Sequence, residues 1–352
     1  MRLFGKEYTR REFEARVGRL EQIGGLRRLA FTEGRENGLE AIQVRTGAGL
    51  VFYVTPTKGM DISLAEFAGV PISWQSPNGD VHPAYYSTDE NDWLQTASGG
   101  LLMTCGLTQV GSPCRDGGER LGLHGRAHHL SARHISTEGV WQGDEYYMTV
   151  SGEIEEVSLF GHHLRLTRHI RAQLGINRIV IDDLVENIGF QPAPHMLLYH
   201  FNFGFPLLGP QTVIHFPSRR VVSREKEVAV ERFDCFEEPI DQCEERVFFH
   251  EDLDSEGNMA AVVISNPDFP VAHGGGSGPL QVRVSWSLEN LPRLVQWKMP
   301  TAGVYALGIE PANCYVHGRV WERENGTLIT LDPGQRLRYE LHVEAGVQTA
   351  GC

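Results

Sequence analysis

Two stretches decide the fold: "NRIVIDDLVENIG" at residues 177–189 and "LLYHFNFGFPLL" at residues 197–208. The first is short, rich in Ile and Val, and closed by Asn-Ile-Gly, the pattern of a β-strand that stops at a turn. The second is almost wholly apolar and aromatic and reads as buried sheet, yet His200 and Asn202 stand inside it. An imidazole there is either a core side chain satisfied by its neighbours or a proton donor held in a pocket. Side chains alternate along a strand, so His200 and Asn202 share one face. If that face lines a groove, Tyr199, Phe201 and Phe203 pack behind it.

Outward from these stretches the texture repeats. "AIQVRTGAGLVFYV" (41–54) alternates apolar and polar residues around a Thr-Gly-Ala-Gly turn and predicts a hairpin. "YYMTVSGEIEE", "LRLTRHIRAQL", "AAVVISNP", "QVRVSWSL", "RLVQWKM" and "RLRYELHVEAG" are further short runs bounded by Gly, Pro, Asn or Asp. Helical periodicity is nearly confined to the start, where Thr9 and Glu12 form a capping box that opens a short helix to about Val17. With 39 Gly and 18 Pro punctuating the strands, the expected fold is all-β, a large antiparallel β-sandwich with a short N-terminal helix. No solenoid or propeller repeat is present. One domain over 1–352 is expected, with the helix and first strands in 1–48. The carboxylate-rich segment 223–258 reads as a solvated excursion, and "HGGGSGP" (273–279) as a flexible loop or lid.

The 352 residues suffice for a large core, and the 41% apolar share is that of a soluble globular chain. The net charge of −13 argues against nucleic acid or an anionic membrane as partner, since both need a basic face. No leader-like apolar segment opens the chain, and no apolar run reaches the roughly 20 residues of a membrane helix. Six scattered cysteines without a CxxC fit reduced thiols in a cytoplasmic protein.

Three segments place an ionisable residue on a strand. In "LGLHGR" (121–126), His124 is framed by Gly122 and Gly125, which let a ligand or another backbone come close. The second segment carries His200. In "YALGIEPANC" (305–314), Glu310 sits at a strand end before Pro311. Singly, each is more often structural than functional. Converging in one pocket, a carboxylate and an imidazole would equip paired general base and general acid catalysis.

"LHG", "YHFNFG" and "LGIEPANC" stand in the order of motifs of the galactose mutarotase (aldose 1-epimerase) superfamily. "LDPGQRLRYELHVE" (331–344) resembles that family's closing strand, and "DDLVENIGFQPAPHMLLYH" its strand–Asn–Gly–loop–His run. The resemblance spans roughly residues 120–345. It implies the family's supersandwich, with a sugar in a groove on one sheet and no cofactor or metal. It also implies Glu310 as general base for the anomeric hydroxyl, His200 as general acid for the ring oxygen, and His124 as a sugar-binding group. Arg126 replaces the family's second glycine after the histidine and could reach a substrate anion. The Asn-Arg segment of the family's first third is missing. In its place "VTPTKGMDISLAEFAG" (54–69) offers Lys58 and Asp61. Asn202 and Lys298 complete the candidate substrate-binding set. The partner implied is a small sugar, and a homodimer is compatible with the reading.

Other features weigh less. "HGRAHHLSARH" (124–134) is rich in His but matches no closed zinc pattern. Cys114 has no evident base for a nucleophilic thiol. Arg115 and Arg120 could line the groove, and Arg219 and Arg220 read as a solvated pair. Trp74, Trp93, Trp297 and Tyr199 could stack on a sugar, although for each core packing is the commoner role. Alternatives to the epimerase reading are a non-catalytic carbohydrate-binding protein, or a sugar-phosphate or ketose epimerase or isomerase on the same fold. The last predicts cations from Arg126, Arg115 or Lys58 facing the groove.

Overall fold

A computed structural model describes residues 1–225, 228–270 and 277–347. Most of the loop expected at 273–279 lies outside them. We number the long strands of the two principal sheets in chain order. β1 (Gly25–Ala30), β2 (Glu40–Arg45), β3 (Leu50–Thr55), β4 (Asp61–Phe67) and β5 (Leu102–Leu107) belong to the first sheet. β6 (Arg133–Gln142), β7 (Glu145–Val157), β8 (His163–Gln173) and β9 (Ile176–Asn187) form part of the second. The chain then returns to the first sheet with β10 (Ala193–Phe203), β11 (Ser218–Ser223) and β12 (Arg246–Leu253). β13 (Met259–Pro270), β14 (Ser277–Ser287), β15 (Arg293–Met299), β16 (Ala306–Ala312) and β17 (Arg336–Val347) follow. The main run of the first, twelve-stranded sheet is β11-β12-β15-β16-β10-β5-β4-β3-β2-β1, and the second, eight-stranded sheet orders β6-β7-β8-β9-β17-β14-β13 with the short strand Val213–His215 at its edge beside β13. All these pairings are antiparallel. The expected β-sandwich is therefore the fold, and the hairpin at 41–54 is β2–β3.

Thr9 caps the N-terminal helix α1 (Arg10–Glu14) through the expected capping box, but the helix ends at Glu14 rather than near Val17. The acidic segment 223–258 is not simply an excursion, because β12 runs through it as an interior strand of the first sheet.

The central strands β5, β10 and β16 of the first sheet are buried on both faces. Along β10, Leu197, Tyr199, Phe201 and Phe203 enter the large core between the sheets. Met196 and Leu198, of opposite parity, join a second cluster with Met103, Val295, Ala312 and Val316 on the outer face. That alternation follows from the two-residue period of a strand. It explains why the β10 sequence is apolar on both faces apart from His195, His200 and Asn202: segments 91–97 and 110–124 cover the outer face. Arg168 on β8 is buried in the core and saturated by Asp183, by Asp61 and by the carbonyls of Gly59 and Met60. Tyr199 donates to the same Asp183 at 2.7 Å, so its role is structural.

Candidate active site

β10 and β16 lie side by side, with Phe201 opposite Ile309 and Leu198 opposite Ala312. This register sets His200 beside Glu310 on the outer face. Nε2 of His200 is 3.1 Å from Oε1 of Glu310, and both side chains are buried. Burial pushes the Glu310 carboxyl well above its ordinary range. It pushes the His200 imidazole down to about 3, and His124 adds to the effect. Glu310 and His200 are thus two acid–base groups in contact, in an environment that resists charge on either.

The room for this pair comes from a glycine that the sequence reading passed over. Gly308 stands two residues before Glu310 on the same face. A Cβ there would lie 2.6 Å from Glu310 Oε1 and 2.9 Å from His200 Cε1. A glycine inside a strand is the available signal for such a close approach. Gly125, beside His124, is required for a different reason. It has φ +71°, and a Cβ would stand 2.4 Å from the Gln109 carbonyl oxygen, so it admits backbone rather than ligand.

Glu310 and His200 face a cavity of about 640 Å³ that His124, Trp74, Trp93 and Trp297 also line. Trp93 lies 4.9 Å from the His124 ring, His124 lies 6.1 Å from His200, and His200 lies 5.7 Å from Trp297, centroid to centroid. Trp74 meets Trp297 edge to face at 5.8 Å. These rings form one continuous wall. Three of the four aromatics considered in the sequence reading line the cavity, whereas Tyr199 belongs to the core. His124 has φ +56°, an uncommon backbone state for a non-glycine residue, and burial lowers its imidazole to about 4. Its Nδ1, Trp93 Nε1 and Glu310 Oε1 are buried with no hydrogen-bond partner.

Two further residues of the cavity were missed. Arg224 follows β11 and Glu245 precedes β12, two strands that pair with each other, so the long connection between them leaves and returns at the cavity. Arg224 pairs with Glu245 at 2.8 Å and also with Glu225. Glu245 in turn accepts from Trp297 Nε1 at 2.9 Å. Both residues lie in the segment taken as solvated, and no local pattern distinguishes them from its other charges.

Five candidate sugar-binding residues do not line the cavity. Lys58 is buried with Nζ donating to the Val81 and Thr96 carbonyls and to Ser98 Oγ. Asp61 accepts from the Thr104 amide and hydroxyl, from Arg168, and meets His128 Nδ1 at 2.6 Å. Each therefore supports the fold from within. Lys298 alternates with Trp297 along β15 and points the other way, where it holds the Arg232 and Cys235 carbonyls and Glu237. Arg126 opens the 3₁₀ turn 127–129 and lies outside the cavity lining. Asn202 shares the His200 face as expected, but its amide bonds to the His200 carbonyl and not to the cavity. Arg115 and Arg120 line a separate polar pocket with Asp89 and Asp92.

Among the described residues no group of His, Cys, Asp and Glu could hold a metal ion. His128 is engaged by Asp61 and His129 by Thr96, which accounts for the histidine-rich segment. The five cysteines described are free. No described helix is long and apolar enough to cross a membrane.

A family model described as Domain of unknown function (DUF4432) matches residues 36–345. The chain belongs to the DUF4432 family. No curated protein matches it by sequence. Among solved structures, this DUF4432 chain is similar to a proposed aldose 1-epimerase from Klebsiella pneumoniae, with 22% identity, 91% of this chain and 83% of that chain covered, and a TM-score of 0.83. It is also similar to the Slr1438 protein of Synechocystis sp. PCC 6803, with 16% identity, coverage of 91% and 99%, and a TM-score of 0.63. A galactose mutarotase-like protein from Clostridium acetobutylicum gives 12% identity, coverage of 92% and 99%, and a TM-score of 0.58. At these identities the likeness establishes the fold, which is galactose mutarotase-like, as the sequence motifs imply.

Proposed function

We propose that the chain interconverts the anomers of a free monosaccharide or close derivative, as an aldose 1-epimerase-like isomerase. The observation that carries this reading is the contact between Glu310 and His200 in a cavity walled by tryptophans. Glu310 takes the proton of the anomeric hydroxyl as C1 becomes a carbonyl and its bond to the ring oxygen breaks. His200 gives its Nε2 proton to that oxygen. The C1–C2 bond rotates, and the same two transfers in reverse close the ring on the other face.

The proton balance suits the environment. Carboxylate with imidazolium and carboxylic acid with neutral imidazole hold the same single proton, and differ by its transfer across the 3.1 Å contact. Burial favours the uncharged arrangement, so the proton first passes from Glu310 to His200, and ring opening then returns the pair to its neutral form. Each turnover returns it to its starting state, and neither a redox group nor a covalent intermediate is required. Trp93 Nε1 and His124 Nδ1, buried without partners, suit a ligand rich in hydroxyls, and the indoles suit the apolar face of a sugar ring.

An uncharged sugar is favoured over a phosphate. The cations that would signal an anionic substrate, Arg126, Arg115 and Lys58, lie elsewhere. Arg224, the one cation lining the cavity among the described residues, is paired with two carboxylates.

The test is anomer exchange by NMR magnetisation transfer over aldoses, ketoses, uronic acids and sugar phosphates. Wild type should accelerate exchange of at least one neutral sugar. Glu310→Gln and His200→Gln should each lose about 10²–10⁴-fold. Sugar binding without exchange would replace this reading by a non-catalytic one, and full activity in Glu310→Gln would sink it.

A further inference from the structure

We propose that Asn202 is a positioning residue for His200. Its Oδ1 accepts from the imidazole Nδ1–H, leaving Nε2, the nitrogen beside Glu310, as the atom that takes up and releases the proton. The kinetic consequence rests on the acid–base reading above, whereas the tautomer rests on the placement of the two side chains and their unmatched atoms.

His200 and Asn202 lie two residues apart on the same face of β10. Asn202 Nδ2 donates to the His200 carbonyl oxygen at 2.9 Å. A carbonyl can only accept, so this bond fixes which end of the amide is nitrogen and directs Oδ1 away from the backbone. Oδ1 of Asn202 and Nδ1 of His200 are both buried, and each lacks a hydrogen-bond partner among the described residues. A buried polar atom left unmatched costs about 1–3 kcal/mol. One atom is an acceptor and the other becomes a donor in one of the two imidazole tautomers, so pairing them removes both costs together. Across the strand pair Asn202 faces Gly308, which has no side chain to compete for the amide. Because Asn202 does not line the cavity, a bound sugar would not be its partner.

The electrostatics of the site point the same way. Burial and the neighbouring His124 and His128 disfavour a proton on His200, while the Asn202 side chain favours one. The other titratable groups nearby are Glu310 on β16 and, at the cavity mouth, Glu245 with Arg224, which act on Glu310. A neutral amide suits this task. A carboxylate in its place would stabilise the imidazolium so strongly that the ring would hold its proton. An apolar side chain would leave the tautomer unfixed.

The experiment is nitrogen-15 NMR of the full chain labelled at histidine, with His200 identified by the signal lost in His200→Gln. Wild type near neutral pH should show Nδ1 protonated and Nε2 bare. Asn202→Leu should shift the population toward the opposite tautomer. Asn202→Asp should raise the imidazole pKa by about one unit or more. It should also move the basic limb of the anomer-exchange pH profile upward by the same amount. A wild-type signal with Nε2–H and a bare Nδ1 would overturn the proposal without any variant. A folded Asn202→Leu protein that keeps the Nδ1–H tautomer would overturn it as well. If wild type exchanges no sugar, the proposed activity falls, and the tautomer measurement still decides this inference.

Discussion

Substituting Gly308 by Ala should silence the site while leaving the sheet in place. A Cβ at this position stands 2.6 Å from Glu310 Oε1, 2.9 Å from His200 Cε1 and 3.0 Å from Trp297 Cβ. Gly308 is not in the left-handed region, so alanine brings no backbone strain. By restricting the unfolded chain, alanine should even contribute about 0.4–1 kcal/mol of stability. Against this, an added methyl in a well-packed site costs about 1–3 kcal/mol. The net loss should therefore be about 1–2 kcal/mol, small enough for the protein to remain folded at 25 °C. The site suffers more. Ordinary contact begins at 3.4 Å, so the Glu310 carboxylate must withdraw by about 0.8 Å, and a misplacement of about 1 Å can cost about 10²-fold in rate. Anomer exchange and thermal unfolding, measured on one preparation, separate the two effects. Wild-type exchange in Gly308→Ala would refute the steric reasoning. A variant that loses exchange only because it is unfolded at the assay temperature would refute the claim that the sheet tolerates the methyl.

Two further outcomes follow from buried groups away from the cavity. Lys298→Met removes a buried ammonium from the Arg232 and Cys235 carbonyls and from Glu237. It should cost about 3 kcal/mol in urea unfolding, the low end for breaking a buried pair because Arg246 also holds Glu237. Exchange per folded molecule should stay within about tenfold of wild type, and a much larger loss would return Lys298 to the sugar site. His195 is buried between Tyr339 and the Leu107 carbonyl, and burial lowers its imidazole to about 4. The unfolded chain, with an ordinary value of about 6.5, binds more protons between those two pH values, so this residue's contribution falls as pH drops through 6.5 toward 4. From pH 7.5 to pH 5 wild type should therefore lose about 2 kcal/mol more than His195→Gln. Parallel losses in the two proteins would contradict a neutral buried imidazole.

The sandwich was legible because strand period, turn residues and the near absence of helical pattern agree along the whole chain. Glu310, His200 and His124 were legible because each departs from an apolar strand or a glycine-framed loop. What failed were judgements about the direction and depth of polar side chains. Lys58 and Asp61 looked available in a turn, yet their charges are spent on buried carbonyls and on Arg168. Lys298 has the opposite parity to Trp297 and therefore faces away. Arg224 and Glu245 were hidden because antiparallel pairing of β11 with β12 makes them neighbours across a long connection. A linear reading of charge density contains no trace of that pairing.

The placement of Glu310 and His200 on adjacent strands has an implication for divergence. Their separation is set by interstrand hydrogen bonding, so the reactive atoms are assembled when the first sheet forms and need no domain closure to meet. The surrounding walls have another origin. Trp93 and His124 come from covering segments, and Arg224 and Glu245 flank a connection, all places where insertions and substitutions are tolerated more readily than in the sheet. On the proposed acid–base reading, selection or engineering could therefore retune ligand choice by exchanging these covers while the proton-transfer step is inherited unchanged.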